Sequence, residues 1–329
     1  MEQKLMTEEK LELIKSDILN VIDQMQKVIV GQTDVLTEIL AALFCSGHVL
    51  LEGVPGLGKT MMIRLLGQCL SLSSSRIQFT PDLMPADIIG TNTLVQNEIK
   101  SKYEIKFQKG PVFTQILLAD EINRATPKTQ SALLEAMQES AVTVSGKQIS
   151  MNKPFIVLAT QNPLEMEGTY PLPEAQLDRF FFKITVPYPT QKEMHLILER
   201  TTENTSSDIS GIMTEDTIKE YQDIIRTVPV SSSIKDYVVR LIYSTHKKEN
   251  DYSKYIRYGA SPRGAQSLIL GAKFFAVISG RVNVSFEDVR RAAGPALRHR
   301  MILSFEGEAE GISTDEILEM IINNTPERL

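Results

Sequence analysis

Two short stretches carry the chemistry of this chain. Gly53-Val54-Pro55-Gly56-Leu57-Gly58-Lys59-Thr60 spells G-x-x-x-x-G-K-T, and Ile116-Leu117-Leu118-Ala119-Asp120-Glu121 is an apolar run closed by two adjacent carboxylates. The first is a phosphate-binding loop in the context it needs. Val49-Leu50-Leu51 reads as a buried strand before it, and Lys59 to Leu70 has helical spacing after it, with Met62, Leu65, Leu66 and Cys69 on one face. A strand, a glycine-rich turn and a helix N-terminus make an anion site, because backbone N–H groups converge and the helix dipole favours negative charge. The glycines let the backbone wrap phosphates closely. Lys59 is expected to reach the β- and γ-phosphates, and the Thr60 hydroxyl to ligate magnesium. The candidate nucleotide contacts are Gly53, Pro55, Gly56, Leu57, Gly58, Lys59, Thr60 and Met61.

Asp120 and Glu121 fall at the carboxyl end of a buried strand, where open α/β sheets bind ligands. There Asp120 is placed to hold magnesium, directly or through water. Glu121 is placed to orient and deprotonate the attacking water. A glutamate in that position favours hydrolysis over phosphoryl transfer to a second substrate.

Three further polar positions lie at element ends. Asn162, in Ala159-Thr160-Gln161-Asn162-Pro163, is either a turn former or a group that polarises the γ-phosphate or the water. Arg179, in Leu177-Asp178-Arg179-Phe180, is either half of a surface ion pair or an arginine finger for the nucleotide of the next subunit. Arg263, in Gly259-Ala260-Ser261-Pro262-Arg263-Gly264, starts a helix with Pro262 near its first turn. It is either a solvated cation or a phosphate contact that couples the helical half to nucleotide state.

The elements that must position these groups alternate. Helical patterns run over 7–29, with Thr7 as N-cap and Glu8 and Glu9 in the first turn, and from Asp34 to Cys45. Val30-Gly31-Gln32 interrupts them. Strand patterns recur at Val49–Leu51, Arg76–Thr80, Ile116–Asp120, Phe155–Ala159 and Phe181–Val186, separated by helical stretches. That order predicts an α/β fold with a five-stranded parallel sheet flanked by helices. Pro81 to Gly90 reads as a loop or short broken helix. Ala141 to Met151 alternates around Ser145-Gly146 and predicts a β-hairpin. On this reading neither insertion is needed to build the core, and both are candidate binding elements. Pro187-Tyr188-Pro189 reads as a linker. Beyond it come helical patterns over 191–203, 214–226, 231–248, 262–280 and 285–298, with a polar loop at Thr201–Gly211. The expected division is a nucleotide-binding part, 1–189, and a small all-α lid, 190–329.

Composition bounds the function. A length of 329 residues is enough for two domains with a sizeable core. Lys+Arg is 35 against 41 Asp+Glu, a net charge of -6, which argues against broad non-specific nucleic-acid binding. Met1-Glu2-Gln3-Lys4 leads into a charged segment without the pattern of a signal peptide. No apolar run approaches the ~20 residues that span a bilayer, so no direct membrane insertion is expected. Cys45 and Cys69 read as small core residues rather than a disulfide. His48, His195, His246 and His299 are scattered without metal-ligand spacing. The expectation is a soluble cytoplasmic protein.

The chain resembles the MoxR family of AAA+ ATPases. The resemblance is carried by residues 118–130 (LADEINRATPKTQ), by Ala159-Thr160-Gln161-Asn162-Pro163, by residues 167–180 (EGTYPLPEAQLDRF) and by Leu297-Arg298-His299-Arg300. It implies a ring-forming ATPase, a hexamer, with ATP and magnesium as cofactors. By motif match Lys59 and Thr60 are Walker A, Asp120 and Glu121 are Walker B, and Asn162 is sensor 1. Arg179 is the arginine finger and Arg263 the sensor 2 arginine. Val30-Gly31-Gln32 matches the segment beside the adenine. Pro81–Gly90 and Ala141–Met151 resemble the helix-2 insert and the pre-sensor-1 hairpin of a wider clade that includes magnesium-chelatase ATPase subunits. Family members commonly act with von Willebrand factor A proteins to mature or activate other complexes. Two positions depart from the pattern: Thr126 stands where Pro is usual, and Gly264 where Ala is usual. Glycine lowers helix propensity by ~1 kcal/mol relative to Ala, so a looser first turn around Arg263 is expected.

The function expected is therefore ATP hydrolysis that drives remodelling of a partner protein. Two alternatives share the same residues: a nucleotide-dependent assembly scaffold with negligible turnover, and a chelatase-type motor subunit.

Overall fold

The computed structural model describes residues 8–97, 102–163, 168–202, 209–246 and 252–328. Thr7, residues 203–208 of the polar loop and the last two residues of the 231–248 helical pattern lie outside them, as does Glu167. The elements in chain order are α1 (Glu8–Gln26), α2 (Thr33–Phe44), β1 (Val49–Glu52), α3 (Lys59–Cys69), β2 (Ser74–Gln78), α4 (Pro85–Ile89), β3 (Gly90–Asn97), β4 (Lys102–Lys109), β5 (Ile116–Asp120), α5 (Pro127–Glu139), β6 (Ala141–Val144), β7 (Lys147–Ser150), β8 (Ile156–Gln161), α6 (Glu174–Leu177) and β9 (Phe182–Thr185). There follow α7 (Gln191–Thr202), α8 (Glu215–Thr227), α9 (Ser232–Ser244), β10 (Ile256–Tyr258), α10 (Pro262–Ile278), α11 (Phe286–Leu297), β11 (Ile302–Leu303), α12 (Phe305–Glu310) and α13 (Thr314–Asn324).

Five strands form one parallel sheet in the order β2-β5-β8-β1-β9. The inner strands are continuous apolar runs because both faces of the sheet are covered. The period of two divides their side chains between two cores. Val49, Leu51, Ile116, Leu118, Ile156 and Leu158 join one cluster with α1, α2, α3 and the C-terminal helices. Leu50, Leu117, Ala119, Val157 and Ala159 join the other with α5. Each fully buried Val, Leu or Ile side chain contributes roughly 1.5–3 kcal/mol. The first cluster runs without interruption from Leu11 through Phe182 to Leu268, Phe275 and Ile321. Gly271 of α10 allows this close approach: a Cβ there would stand 2.8 Å from the Phe182 ring.

The hairpin expected at Ala141–Met151 forms as β6 and β7, with Ser145 and Gly146 both at positive φ, 50° and 77°. The expectation that the two insertions stand outside the core is corrected. Ile88 of α4, Val142 of β6 and Met151 are buried in the second cluster beside Leu117 and Leu133. Thr143, residues 145–148 and Ser150 of the hairpin are exposed. A second antiparallel hairpin, β3–β4, was not anticipated. Its signal is the weak alternation of Tyr103, Ile105 and Phe107 with Glu104 and Lys106; in the first strand the adjacent Leu94 and Val95 do not alternate. The short β10–β11 pair, α12 and α13 were likewise not anticipated. No helix among the described residues is long and apolar enough to cross a membrane.

Candidate functional site

The register of the parallel sheet sets Glu52 beside Gln161, and Gln78 beside Asp120, so the carboxyl ends of β1, β2, β5 and β8 meet at one edge. The glycine-rich loop after β1 closes over that edge. Gly56 and Gly58 have φ of 85° and 76°, and a Cβ at either would meet nothing within 4 Å. Glycine is needed here for the left-handed backbone and leaves a bare wall. Gly58 caps α3 without a side-chain bond, which leaves the first N–H groups of that helix open to a ligand.

A cavity of about 580 Å³ lies under the loop. It is lined by Gly53, Pro55, Gly56, Leu57, Gly58, Lys59, Thr60 and Met61, and by Asp120, Glu121 and Asn162. Lys59 curls back so that Nζ donates to the Gly53 carbonyl. Burial pulls its pKa below the ordinary lysine value, opposed by the charges of Asp120, Glu121 and Glu52.

Asp120 ends β5, and Glu121 follows in the left-handed region at φ 56°, a conformation costing on the order of 1–3 kcal/mol that aims its side chain into the cavity mouth. Thr160 bridges the two: its Oγ1 donates to Asp120 Oδ1 at 2.6 Å and accepts from the Glu121 N–H at 2.8 Å. Glu121 Oε2 accepts from Gln78 Nε2 at 2.7 Å and from Arg124 Nη1 at 3.1 Å.

Val30, Gly31 and Gln32 are not among the residues that line this cavity. Gln32 donates from Nε2 to the Leu57 carbonyl at 3.4 Å, and Gly31 faces Glu193 of α7.

Arg179 and Arg263 do not reach this site. They line a second cavity, of about 310 Å³, together with Arg226, Arg300 and Asp178. Arg179, between α6 and β9, donates from Nη1 to the Leu134 carbonyl at 3.3 Å. Arg263, in the first turn of α10, stands 3.9 Å from Asp178. Four guanidinium groups against one lining carboxylate make this cavity strongly cationic.

Residues 48–182 match the ATPase family associated with various cellular activities (AAA), and residues 249–321 match the AAA lid domain. The chain is 42% identical over 303 residues to Chaperone MoxR1 of Mycobacterium tuberculosis (strain ATCC 25618 / H37Rv), a match covering 91% of this chain and 79% of that one. It belongs to the MoxR family of AAA+ ATPases. It is similar also to YeaC of Bacillus subtilis (strain 168), an uncharacterised protein, at 40% identity over 92% of each chain. A crystallised candidate ATPase from Cytophaga hutchinsonii ATCC 33406 has the same fold, with a TM-score of 0.88, 42% identity and 97% of each chain covered.

This MoxR-family site suits magnesium. Thr60 and Asp120 supply two hard oxygen donors on one cavity with room for water and phosphate oxygens, the coordination that ion prefers. Among the described residues no group of three His, Cys, Asp or Glu forms another metal centre. Four cavity residues were not anticipated: Arg64, Arg76, Gln78 and Thr160. For Arg76 and Gln78 the polar-apolar-polar order of Arg76-Ile77-Gln78 was the available signal, since Ile77 is buried under the sheet and its neighbours face the other way.

Proposed function

We propose that this chain hydrolyses ATP with magnesium within a ring of identical subunits, a hexamer, and uses the cycle to remodel or mature a partner complex. In this reading residues 1–189 bind the nucleotide and 190–329 act as the lid. One observation carries the reading. The phosphate loop, Asp120, Glu121 and Asn162 share one cavity, while Arg179 and Arg263 share another. In this reading Lys59, Arg64 and Arg76 already line the first cavity, and a neighbour presenting its second cavity would add Arg179 and Arg263.

Magnesium, held by Thr60 and Asp120, would neutralise charge on the β- and γ-phosphates. The loop amides and Lys59 hold those phosphates in line with the attacking water. Glu121 takes the proton from that water, and Asn162 orients it against the γ-phosphate. Arg179 and Arg263 of the neighbour stabilise charge on the transferring group, a contribution of ~10³–10⁵ in rate for such an arginine. In the isolated chain Gln78 and Arg124 hold Glu121 Oε2. That contact supports slow turnover until a neighbour and nucleotide rearrange the site. The partner is a von Willebrand factor A protein, which rests on the family, and the compartment is the cytoplasm, which rests on the composition of the chain.

The test mixes two inactive variants. Arg179→Ala keeps ATP affinity but not hydrolysis; Lys59→Ala loses its own pocket but keeps its arginines. Mixed rings should recover activity, because some interfaces pair an intact pocket with an intact Arg179. Inactivity at every mixing ratio, with mixed rings visible by native mass spectrometry, would overturn action between subunits. A ring that binds ATP without steady-state phosphate release would instead favour the scaffold.

A further inference from the structure

Arg76 projects from β2 into the cavity and seizes the carboxylate assigned to the metal. Its Nε and one terminal nitrogen donate to Asp120 Oδ2 at 3.2 and 2.7 Å. Asp120 Oδ1 accepts from Thr160. Both carboxylate oxygens are therefore engaged by protein donors. Of those donors Thr160 is buried within β8, whereas the Arg76 side chain is 49% exposed against 17% for Asp120. The partner free to leave is Arg76.

We propose that Arg76 is the chain's own stand-in for the metal at Asp120. It neutralises that carboxylate while a nucleoside phosphate is bound without magnesium, and it gives up Oδ2 when magnesium loads. The inference rests on reading this cavity as a nucleotide and magnesium site. The reason is charge. Phosphates brought beside Asp120 in a half-desolvated cleft repel it, and Lys59 is already committed to the phosphates. Glu121 adds a second negative charge, answered by Arg124. A cation on Asp120 itself removes the remaining repulsion most directly. A divalent ion does so better than a guanidinium and needs the same oxygen.

The consequence is specific to the metal-free state. ADP affinity is to be measured by calorimetry on the full chain, in excess EDTA and in saturating magnesium. Arg76→Ala should lose about tenfold or more in EDTA, a modest share of what one unscreened charge at this distance exerts. In magnesium it should stay within about twofold, and the magnesium concentration that half-saturates the ADP-bound protein should fall. Arg76→Lys, which keeps a point charge, should lie between. Equal losses in both conditions would make Arg76 a direct phosphate ligand and overturn the proposal; so would unchanged affinity in EDTA. Lys59→Ala is the control for the site, expected to lose affinity in both conditions. If it binds ADP as the parent does, the nucleotide reading of the cavity fails, and the role of Arg76 with it.

Discussion

Arg300 donates from Nε to Asp178 Oδ1 at 2.8 Å, across 122 residues of chain. The same guanidinium donates to the carbonyls of Asp178, Phe180, Phe181 and Ala296. Ser261 adds a bond to Asp178 Oδ1 at 2.7 Å, and His299 Nε2 meets the Phe180 carbonyl at 3.1 Å. The segment that carries Arg179 is thus held by residues from the C-terminal helices. Gly264 belongs to the same contact. A Cβ there would stand 2.9 Å from Leu297 Cδ2 and 3.2 Å from Arg300 Cδ. The glycine makes room for Arg300, and the looser first turn expected of α10 is replaced by a packed one.

Arg300 is only 7% exposed, so its removal takes the paired guanidinium from Asp178, which keeps Ser261, and leaves the Asp178, Phe181 and Ala296 carbonyls without this donor. Arg300→Ala is expected to cost about 3–5 kcal/mol in urea unfolding, the range for breaking a buried pair. Arg300→Lys should recover little of this, because one ammonium cannot span the same acceptors. An alanine variant within ~0.5 kcal/mol of the parent would show that the segment is held elsewhere.

Lys59→Ala removes the point charge on the phosphates and should abolish or severely weaken nucleotide binding. Glu121→Gln keeps the metal carboxylate of Asp120 and removes the base, so it should bind ATP normally and hydrolyse it slowly, by ~10²–10⁴-fold. Titration calorimetry and phosphate release measure the two effects. Near-normal turnover by Glu121→Gln would remove the assigned role.

His48 links acid sensitivity to the sheet. Its Nδ1 accepts from the Val157 N–H at 3.0 Å, so Nε2 carries the proton and donates to the Met137 carbonyl at 3.0 Å. Burial pushes its pKa down to about 4, against 6.5 for an ordinary histidine. Between those values the unfolded chain binds the extra proton. Stability from this group is full above pH 6.5 and is lost as pH falls towards 4. Glu38, raised by burial to about 7, works in the opposite sense from pH 4.5 to 7. The comparison must therefore be between the parent and His48→Gln, which can form both bonds without titrating. The melting temperature of the variant should fall less between pH 6.5 and 5; identical slopes would exclude His48 as a contributor.

The β6–β7 hairpin divides into a buried base and an exposed tip. Exchanging residues 143–148 for a short Gly/Ser turn should leave circular dichroism and basal hydrolysis close to the parent. It removes the bond from Asn92 Nδ2 to Ser145 Oγ, 2.8 Å, that ties this hairpin to β3. Met151→Ala at the base should cost about 2–5 kcal/mol. Unfolding by the turn exchange alone would make the whole hairpin structural.

What the sequence determined by itself was local. The phosphate loop, the Asp120-Glu121 strand end and the apolar runs of β1, β5 and β8 each lie within one short window, where period and residue type specify element and chemistry together. The MoxR-family motifs named Asn162, Arg179 and Arg263 in the same way. The β3–β4 hairpin was not legible, because its strands bury little and carry a faint alternation. Tertiary structure alone decided that Arg179 and Arg263 stand apart from the phosphate loop. It alone brought Arg76 to Asp120 across 44 residues, and Arg300 to Asp178. Such pairings depend on sheet order and on the helices that cover it. They arise from the summed burial of two cores, and no single window of sequence contains that sum.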